Sequence, residues 1–511
     1  MFFNLALTFY LQAIIIIDKM VEKRHDLGRK TYEREGNRMK ESLWKQTYEN
    51  ILIGMGFIGI TLNFLFLNQL LPFIGILLVF TGFRKLRREN QWFQIGYAGA
   101  GLKVVITIVS IVLGAVLGHE EIYASYVWKV IAFCGGILPI ALVSCFFFGT
   151  RQELRKRQMN IKYEVLIHII IWYVAMVVLA AWNYQGLILA LIIIAAYIGI
   201  LVELKHLAEQ LEQAGYVLEE QPVWISDGKY VGGAVMVTVA GLIISYLFLD
   251  SYHMEWTMVK ESQDPVSEEI KDHLLSLGLP EDILNDLAEE DLLECKNARQ
   301  VFVERDDYPM NDGVEVVSGT EGYTQYSTEY PQKELKLSGA AIELEQKGQW
   351  KVIHHFRWNE DPGFRGTESL QIYPVYSGQE GGWTVNGGLT GQVLYEKNGT
   401  SYTADYAVLQ NENYNTRDGF PFYDMMEHSS IFAEFSMPRH GENYCGYVAY
   451  EIKEKENDWW IDSWLNYTHQ NTLVQYPVLS AAQSRKQGGV MDGRMFTTVQ
   501  NALQVLPGER E

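Results

Sequence analysis

The stretch NENYNTRDG, residues 411–419, sets oxygen-bearing side chains at Asn411, Asn413, Asn415 and Asp418, a spacing like that of alternate oxygen ligands around a calcium ion. Its glycine falls in the wrong place for an EF-hand loop and the closing glutamate is absent. Ca2+ is therefore the one cofactor the stretch suggests, and a polar turn is the competing reading. The loop ERDDYPMNDG offers Glu304, Asp306, Asp307 and Asp312 on the same terms. His354 and His355 are adjacent, so on a strand they point to opposite faces and cannot chelate one metal; one is expected to be packed and the other solvated. Trp383, Trp459, Trp460 and Trp464 are flat side chains that suit stacking on sugar rings or envelope polymers, although each taken singly also suits a core. Trp459 and Trp460 must face apart if they share a strand.

Signatures of catalysis are missing: there is no GxSxG elbow, HExxH pair, Walker loop or CxxC. No catalytic residue is assigned, and a non-enzyme is the favoured reading. Cys134 and Cys145 lie in one apolar run and read as small buried residues. Cys295 and Cys445 either pair across a long loop, if their half of the chain meets an oxidising compartment, or stay as two free thiols.

The elements that must carry these residues differ between the two halves of the 511-residue chain. Up to Asp250 there are 22 Lys and Arg against 19 Asp and Glu; from Ser251 onward there are 20 against 43, a net −23 out of −20 for the whole. The first half contains eight apolar runs, near residues 1–17, 50–67, 70–83, 97–117, 126–148, 163–182, 186–203 and 231–250. Runs of this length read as membrane spans, with a tight hairpin at Asn68-Gln69 between the second and third. The first run lacks a signal-peptide pattern. Met39, preceded by codons able to form a bacterial ribosome-binding site at Arg34-Glu35-Gly36, is an alternative start that leaves seven spans. Of the 22 basic residues, 20 fall in segments 18–49, 84–90, 149–162 and 204–230, and none in 68–69, 118–125 or 183–185. By the positive-inside rule the basic loops are cytoplasmic and everything after Asp250 lies outside a plasma membrane. Within the spans, Lys103 and Lys129 are near enough to the ends to snorkel, while Asn63 and His168 are more interior, where a lone histidine usually bonds a neighbouring carbonyl. The run from Glu203, with Leu204, Leu207, Ala208, Leu211 and Ala214 at helical spacing, should continue its span as a helix.

After Asp250, segments 266–277, 279–287 and 288–295 read as a short helical stalk, residues 251–299, rich in Glu, Asp and Leu. Residues 300–511 change to strand patterns. QWKVIHHFRW alternates, GQVLYEKNGTSYTADYAVL reads as a hairpin turning at Asn398-Gly399, and SLQIYPVY, SIFAEFSM, NYCGYVAYEI and DWWIDSWLNYTH add further strands. A short helix is expected over 495–506. The expected fold is thus an α-helical multi-pass membrane bundle, residues 1–250, followed by an extracytoplasmic, mainly antiparallel β-sandwich-like domain. Such a chain has the lipid bilayer as a partner and a β domain that binds a ligand, an envelope polymer or carbohydrate, or a protein. A transporter or channel component with an accessory outer domain is the alternative. The strong negative charge disfavours nucleic acid.

Overall fold

A computed structural model describes residues 43–59, 67–159, 161–181, 187–214, 225–259, 265–320, 323–377, 382–418, 424–455, 459–473, 475–487 and 495–509. The expected span 1–17, the alternative start Met39 and Asn63 lie outside these. The chain divides into two compact units, Met1–Ser110 with Tyr126–Met236, and Ile111–Ser125 with Val237–Glu511.

Among the described residues eight helices precede the first strand: α1 (Leu43–Gly59), α2 (Leu67–Leu86), α3 (Gln91–Leu113), α4 (His119–Ala124), α5 (Tyr126–Lys156), α6 (Val165–Ala181), α7 (Leu187–Gln213) and α8 (Asp227–Phe248). Four of them, α2, α3, α5 and α8, are long and apolar enough to cross a membrane, and α6 is a shorter apolar helix. Asn68 and Gln69 lie inside α2, so the expected turn between the second and third runs is not there. They are the second and third residues of α2, and a first turn, whose N–H groups have no partner within the helix, tolerates polar side chains. As expected, α7 continues through Glu203, and Leu204, Leu207, Ala208 and Leu211 are buried along one stripe.

Packing within the first unit is set by small residues and by polar groups that settle exposed carbonyls. A Cβ added at Gly54 would lie 2.5 Å from the Gly75 carbonyl oxygen, so α1 and α2 touch backbone to backbone. The hydroxyls of Tyr173 and Tyr197 both donate to the Met55 carbonyl, at 2.9 and 3.0 Å. Pro139 lies inside α5 and has no N–H for the carbonyl four residues back, that of Gly135. The Lys103 ammonium donates to that oxygen at 2.9 Å. Lys103 therefore turns into the packing against α5, where an orphaned acceptor draws it. His168 meets a carboxylate, Glu203 Oε2 at 3.3 Å, where a carbonyl was expected.

The second unit is mostly β. Its elements are β1 (Thr257–Met258), α9 (Pro265–Ser276), α10 (Glu281–Asp286), α11 (Glu289–Glu294), β2 (Gln300–Tyr308), β3 (Val314–Thr320), β4 (Tyr323–Glu329), β5 (Leu335–Glu343), β6 (Gln349–Trp358), β7 (Thr367–Tyr373), β8 (Trp383–Lys397), β9 (Thr400–Ala404), β10 (Val408–Asp418), β11 (Asp424–Ser436), β12 (Glu442–Glu454), β13 (Ile461–Gln470), α12 (Ala481–Lys486) and β14 (Phe496–Val505). A seven-stranded sheet runs β1-β9-β8-β12-β6-β5-β2 and a five-stranded sheet runs β10-β11-β7-β13-β14, with β3 and β4 pairing apart. All pairings are antiparallel. One hydrophobic core draws on both large sheets: Trp350, Val352, Phe356, Val448 and Tyr450 from the first, and Leu370, Ile372, Ile431, Phe435 and Leu465 from the second. The β8–β9 hairpin turns at Asn398 and Gly399, both at positive φ (53° and 74°). That is the turn which matches strand twist and which Asn-Gly permits.

Two segments depart from the sequence reading. Residues 496–505 form β14, paired with β13 from Phe496↔Gln470 to Val505↔Ile461, in place of a closing helix. An unsatisfied edge of β13 outweighs a modest helical preference, since pairing runs along ten residues of each strand. The helices of 265–294 are not a free stalk. They lie on the outer face of the seven-stranded sheet, where Ile270, Leu274, Ile283, Leu284 and Leu292 bury against Ala340, Ile342, Ile353, Tyr447 and Ala449.

Candidate functional site

The charged residues of the outer sheet face hold that helical layer. On α10, Asp286 Oδ2 lies 2.7 Å from His355 Nε2 and accepts from Arg357 Nη2 at 2.7 Å. On α11, Asp291 accepts from Lys351 Nζ at 2.6 Å and from Thr390 Oγ1 at 2.7 Å, and also from the Tyr447 hydroxyl, while Glu294 is a second partner of Lys351. Burial pushes the Asp286 carboxyl up, but His355 and Arg357 override it and hold the group below the usual carboxylate range. Burial would lower Lys351, yet Asp291 and Glu294 raise it. These are closed contacts that clamp a layer.

Both histidines are fully buried, one on each face of β6, because each face is covered. His354 Nε2 lies 2.8 Å from Ser463 Oγ. Ser463 donates its only proton to the Tyr373 carbonyl at 3.0 Å and accepts from the Tyr450 hydroxyl at 2.8 Å. His354 must then be the donor through Nε2–H, so this serine and histidine are wired as structure, the reverse of a nucleophile and its base. Burial lowers the His354 imidazole to about 3. Cys295 and Cys445 are unbridged and buried. Burial lifts the Cys295 thiol to about 12, and Cys445 also rises well above the normal range, so neither is an activated nucleophile.

The tryptophans separate. Trp383 is 3% exposed, belongs to the core and donates Nε1–H to the Trp460 carbonyl at 2.9 Å. Trp459 packs partly buried on the core, whereas Trp460 is 46% exposed. Trp464 is half-buried on the strand face opposite Ser463 and Leu465, tied to Asp462 Oδ1 at 2.9 Å. The candidate calcium stretch is not a loop: Asn411, Asn413, Asn415 and Asp418 lie on the edge strand β10, with Asn411 opposite Ile431 and Asn413 opposite Ser429. The side chains of Asn415 and Asp418 are outside the described residues. Glu304, Asp306 and Asp307 are on β2, and Asp312 is in the loop after it. Among the described residues, no group of three or more His, Cys, Asp or Glu is arranged to hold a metal ion.

A cavity of about 230 Å³ opens where the chain leaves α8, lined by Asp250, Ser251, Tyr252, His253, Met254, Trp256, Arg365, Gly366, Ser436, Met437, Pro438 and Arg439. Three segments build it. The exit of α8 is pinned when Leu249 O accepts from Leu117 N at 2.7 Å, and Tyr252 N then donates to Ser436 Oγ at 2.9 Å. Met437 N donates to Gly366 O at 3.2 Å, joining the end of β11 to the approach to β7. Gly366 admits no side chain, since a Cβ there would sit 2.5 Å from the Phe364 ring and 2.6 Å from Gln470 Oε1. Arg365 is aimed by Nε–H to the Tyr444 hydroxyl at 2.9 Å and by the Asp361 carboxylate at 3.8 Å. Arg439 reaches Leu247 O at 3.4 Å. Trp256 is set edge-on to Tyr395, with centroids 4.7 Å apart.

Within this cavity Asp250 is 8% exposed, and its Oδ1 has no hydrogen-bond partner among the described residues. An acceptor buried bare costs about 1–3 kcal/mol, and more when charged, unless something else meets it. Two guanidiniums line the same cavity without contacting that oxygen. The arrangement offers one anionic and two cationic poles around a small space with aromatic and thioether walls. The sequence reading missed it because Asp250 looked like the polar end of an apolar run, and Arg365 and Arg439 lie about 115 and 190 residues further on. No known protein family matches the chain, and no curated protein resembles it.

Proposed function

We propose that this chain is an integral protein of the plasma membrane whose β domain, outside the cytoplasm, binds a small ligand in the cavity at Asp250, Arg365 and Arg439. Four helices long and apolar enough to cross a bilayer support the anchoring. In this reading α1, α6 and α7 complete seven spans, and residues 1–17 would add an eighth. The two large sheets sharing one core are read as a β-sandwich. The placement outside rests on the loop charges. It agrees with the bond from Leu117 to Leu249, which joins the Lys/Arg-free loop 118–125 side of α3 to the exit of α8. The single observation that carries ligand binding is the buried, unpaired oxygen of Asp250 inside a cavity shared with two arginines.

Two measurements test this. In a Cys134→Ser background, a membrane-impermeant maleimide applied to intact cells should label Asn398→Cys and spare Lys156→Cys; the opposite pattern overturns the orientation. A fluorophore on His253→Cys, at the cavity rim, should respond saturably to at least one of phosphate, ethanolamine or phosphoethanolamine, and a response to phosphate should vanish in Arg439→Gln with Arg365→Gln. A flat response to all three removes the ligand-binding reading.

A further inference from the structure

We infer that the ligand of this cavity is a small zwitterion of the phosphoethanolamine type, with its ammonium on Asp250 and its phosphate on Arg439 and Arg365. The inference rests on the ligand-binding reading above and adds the chemical class.

Charge decides the class. A simple anion would satisfy the arginines but face the Asp250 carboxylate and leave its bare oxygen unmet. A metal or other simple cation would satisfy Asp250 but face two guanidiniums lining the same space. Only a ligand carrying both signs, a few bonds apart, complements all three. A primary ammonium supplies the N–H donors that Oδ1 lacks, and a charge-assisted bond to a buried carboxylate is among the stronger hydrogen bonds available. Trp256 and Tyr252, also in the lining, are aromatic side chains of the kind that attract a cation. Guanidinium suits phosphate through its fork of parallel donors. Arg365 is already oriented by Tyr444, which removes part of the cost of fixing a long side chain. Met254, Met437 and Pro438 give apolar wall for a two-carbon spacer. The size agrees as well: about 230 Å³ is below the roughly 300–1,000 Å³ of sites for drug-sized molecules.

Two sources share this chemistry. The cavity begins two residues beyond Phe248, the end of α8, so under the membrane reading it sits at headgroup level, where an ethanolamine phospholipid could present its head. A soluble phosphoethanolamine ester would carry the same two poles.

The experiment uses the full chain in phosphatidylcholine nanodiscs, with the fluorophore on His253→Cys and Cys134→Ser. Phosphoethanolamine is expected to bind at least roughly ten-fold more tightly than phosphate or ethanolamine alone, because each pole adds a charged hydrogen bond. Asp250→Asn should bring its affinity down to that of phosphate, and Arg439→Gln with Arg365→Gln to that of ethanolamine. Unchanged thermal melting of these variants separates lost recognition from lost folding. Should a variant melt early, N-acetylated phosphoethanolamine supplies the same comparison on the unaltered cavity, since it keeps the phosphate and removes the ammonium; it should bind like phosphate. Replacing half of the phosphatidylcholine by phosphatidylethanolamine then separates the sources: competition with the soluble probe identifies a lipid head, and unaltered soluble binding identifies a free ester, each consistent with the inference. Equal binding of phosphate and phosphoethanolamine, indifferent to Asp250→Asn, overturns the zwitterion while leaving a ligand cavity. Absence of any saturable response removes both.

Discussion

Replacing Lys103 by methionine tests whether an ammonium inside an apolar helix bundle is there to satisfy a proline-orphaned carbonyl. Pro139 cannot donate to Gly135 O, and Lys103 Nζ fills that place at 2.9 Å. Lys103→Met keeps the length and apolar stem but leaves the carbonyl bare. The expected loss is about 1–3 kcal/mol for an unmet buried acceptor, shaded toward about 1 kcal/mol because side-chain hydrogen bonds in membrane bundles average roughly 0.6 and reach 1.7. Pro139→Ala restores an N–H four residues after Gly135 and closes the helix ladder, so Lys103→Met in that background should cost close to nothing. Removing a charge that no longer has a task could even stabilise. The coupling between the two substitutions should therefore be about 1 kcal/mol. It is read as a double-mutant cycle from SDS unfolding of the detergent-solubilised full chain, followed by helical circular dichroism. Equal costs of Lys103→Met in both backgrounds would refute the reasoning, because the lysine would then be serving something other than the Gly135 carbonyl.

Three further outcomes follow from the second unit. His354 is held neutral, about 3 when folded against 6.5 ordinarily, so the unfolded chain binds a proton that the folded chain refuses. Its contribution is intact above pH 6.5 and lost as pH falls toward 3, by about 1.4 kcal/mol per unit, and a urea-melt series from pH 7 to 4.5 should show roughly 2.7 kcal/mol less acid loss in His354→Met than in the parent. Asp291→Ala leaves the buried Lys351 ammonium with only the half-exposed Glu294 carboxylate and should cost about 3 kcal/mol, the low end for breaking a buried pair, with faster hydrogen exchange over 265–294, while Asp291→Leu with Lys351→Met should recover most of it; equal losses in both would mean the clamp is not ionic. Gly399→Val forces a β-branched residue to φ 74° and should lower stability by about 1–3 kcal/mol, measured by the same melts, with Asn398→Gly nearly silent.

Patterns with a short period were legible in the chain. The alternation in QWKVIHHFRW marks β6 at Gln349–Trp358, and Asn398-Gly399 marks the turn into β9, since strand faces and positive-φ turns are local properties of neighbouring residues. The apolar runs similarly mark helices, although Asn68 and Gln69, expected as a turn, fall in the first turn of α2. What misled was exposure. Lys351, His355 and Arg357 alternate with apolar neighbours and therefore read as a solvated face, while Asp286, Asp291 and Glu294 read as an acidic stalk. Only the docking of α10 and α11 shows that these are two halves of the same ion pairs, 57 to 71 residues apart.

By itself the sequence determined the division into an apolar helical half and an acidic β half, the positions of half of the fourteen described strands and the absence of known catalytic motifs, because each depends on composition or on spacing within one element. The tertiary structure alone decided which edge residues 496–505 would complete, which charges would be buried together, and where a site would form. β14 exists because β13 offered an open ladder, a fact about a partner strand that no property of FTTVQNALQV contains. The cavity exists because the chain leaving α8 meets the start of β7 and the end of β11, and the bare oxygen of Asp250 acquires meaning only beside Arg365 and Arg439. Charge complementarity between distant segments is settled by folding in three dimensions, where a buried acceptor must be matched or remain costly.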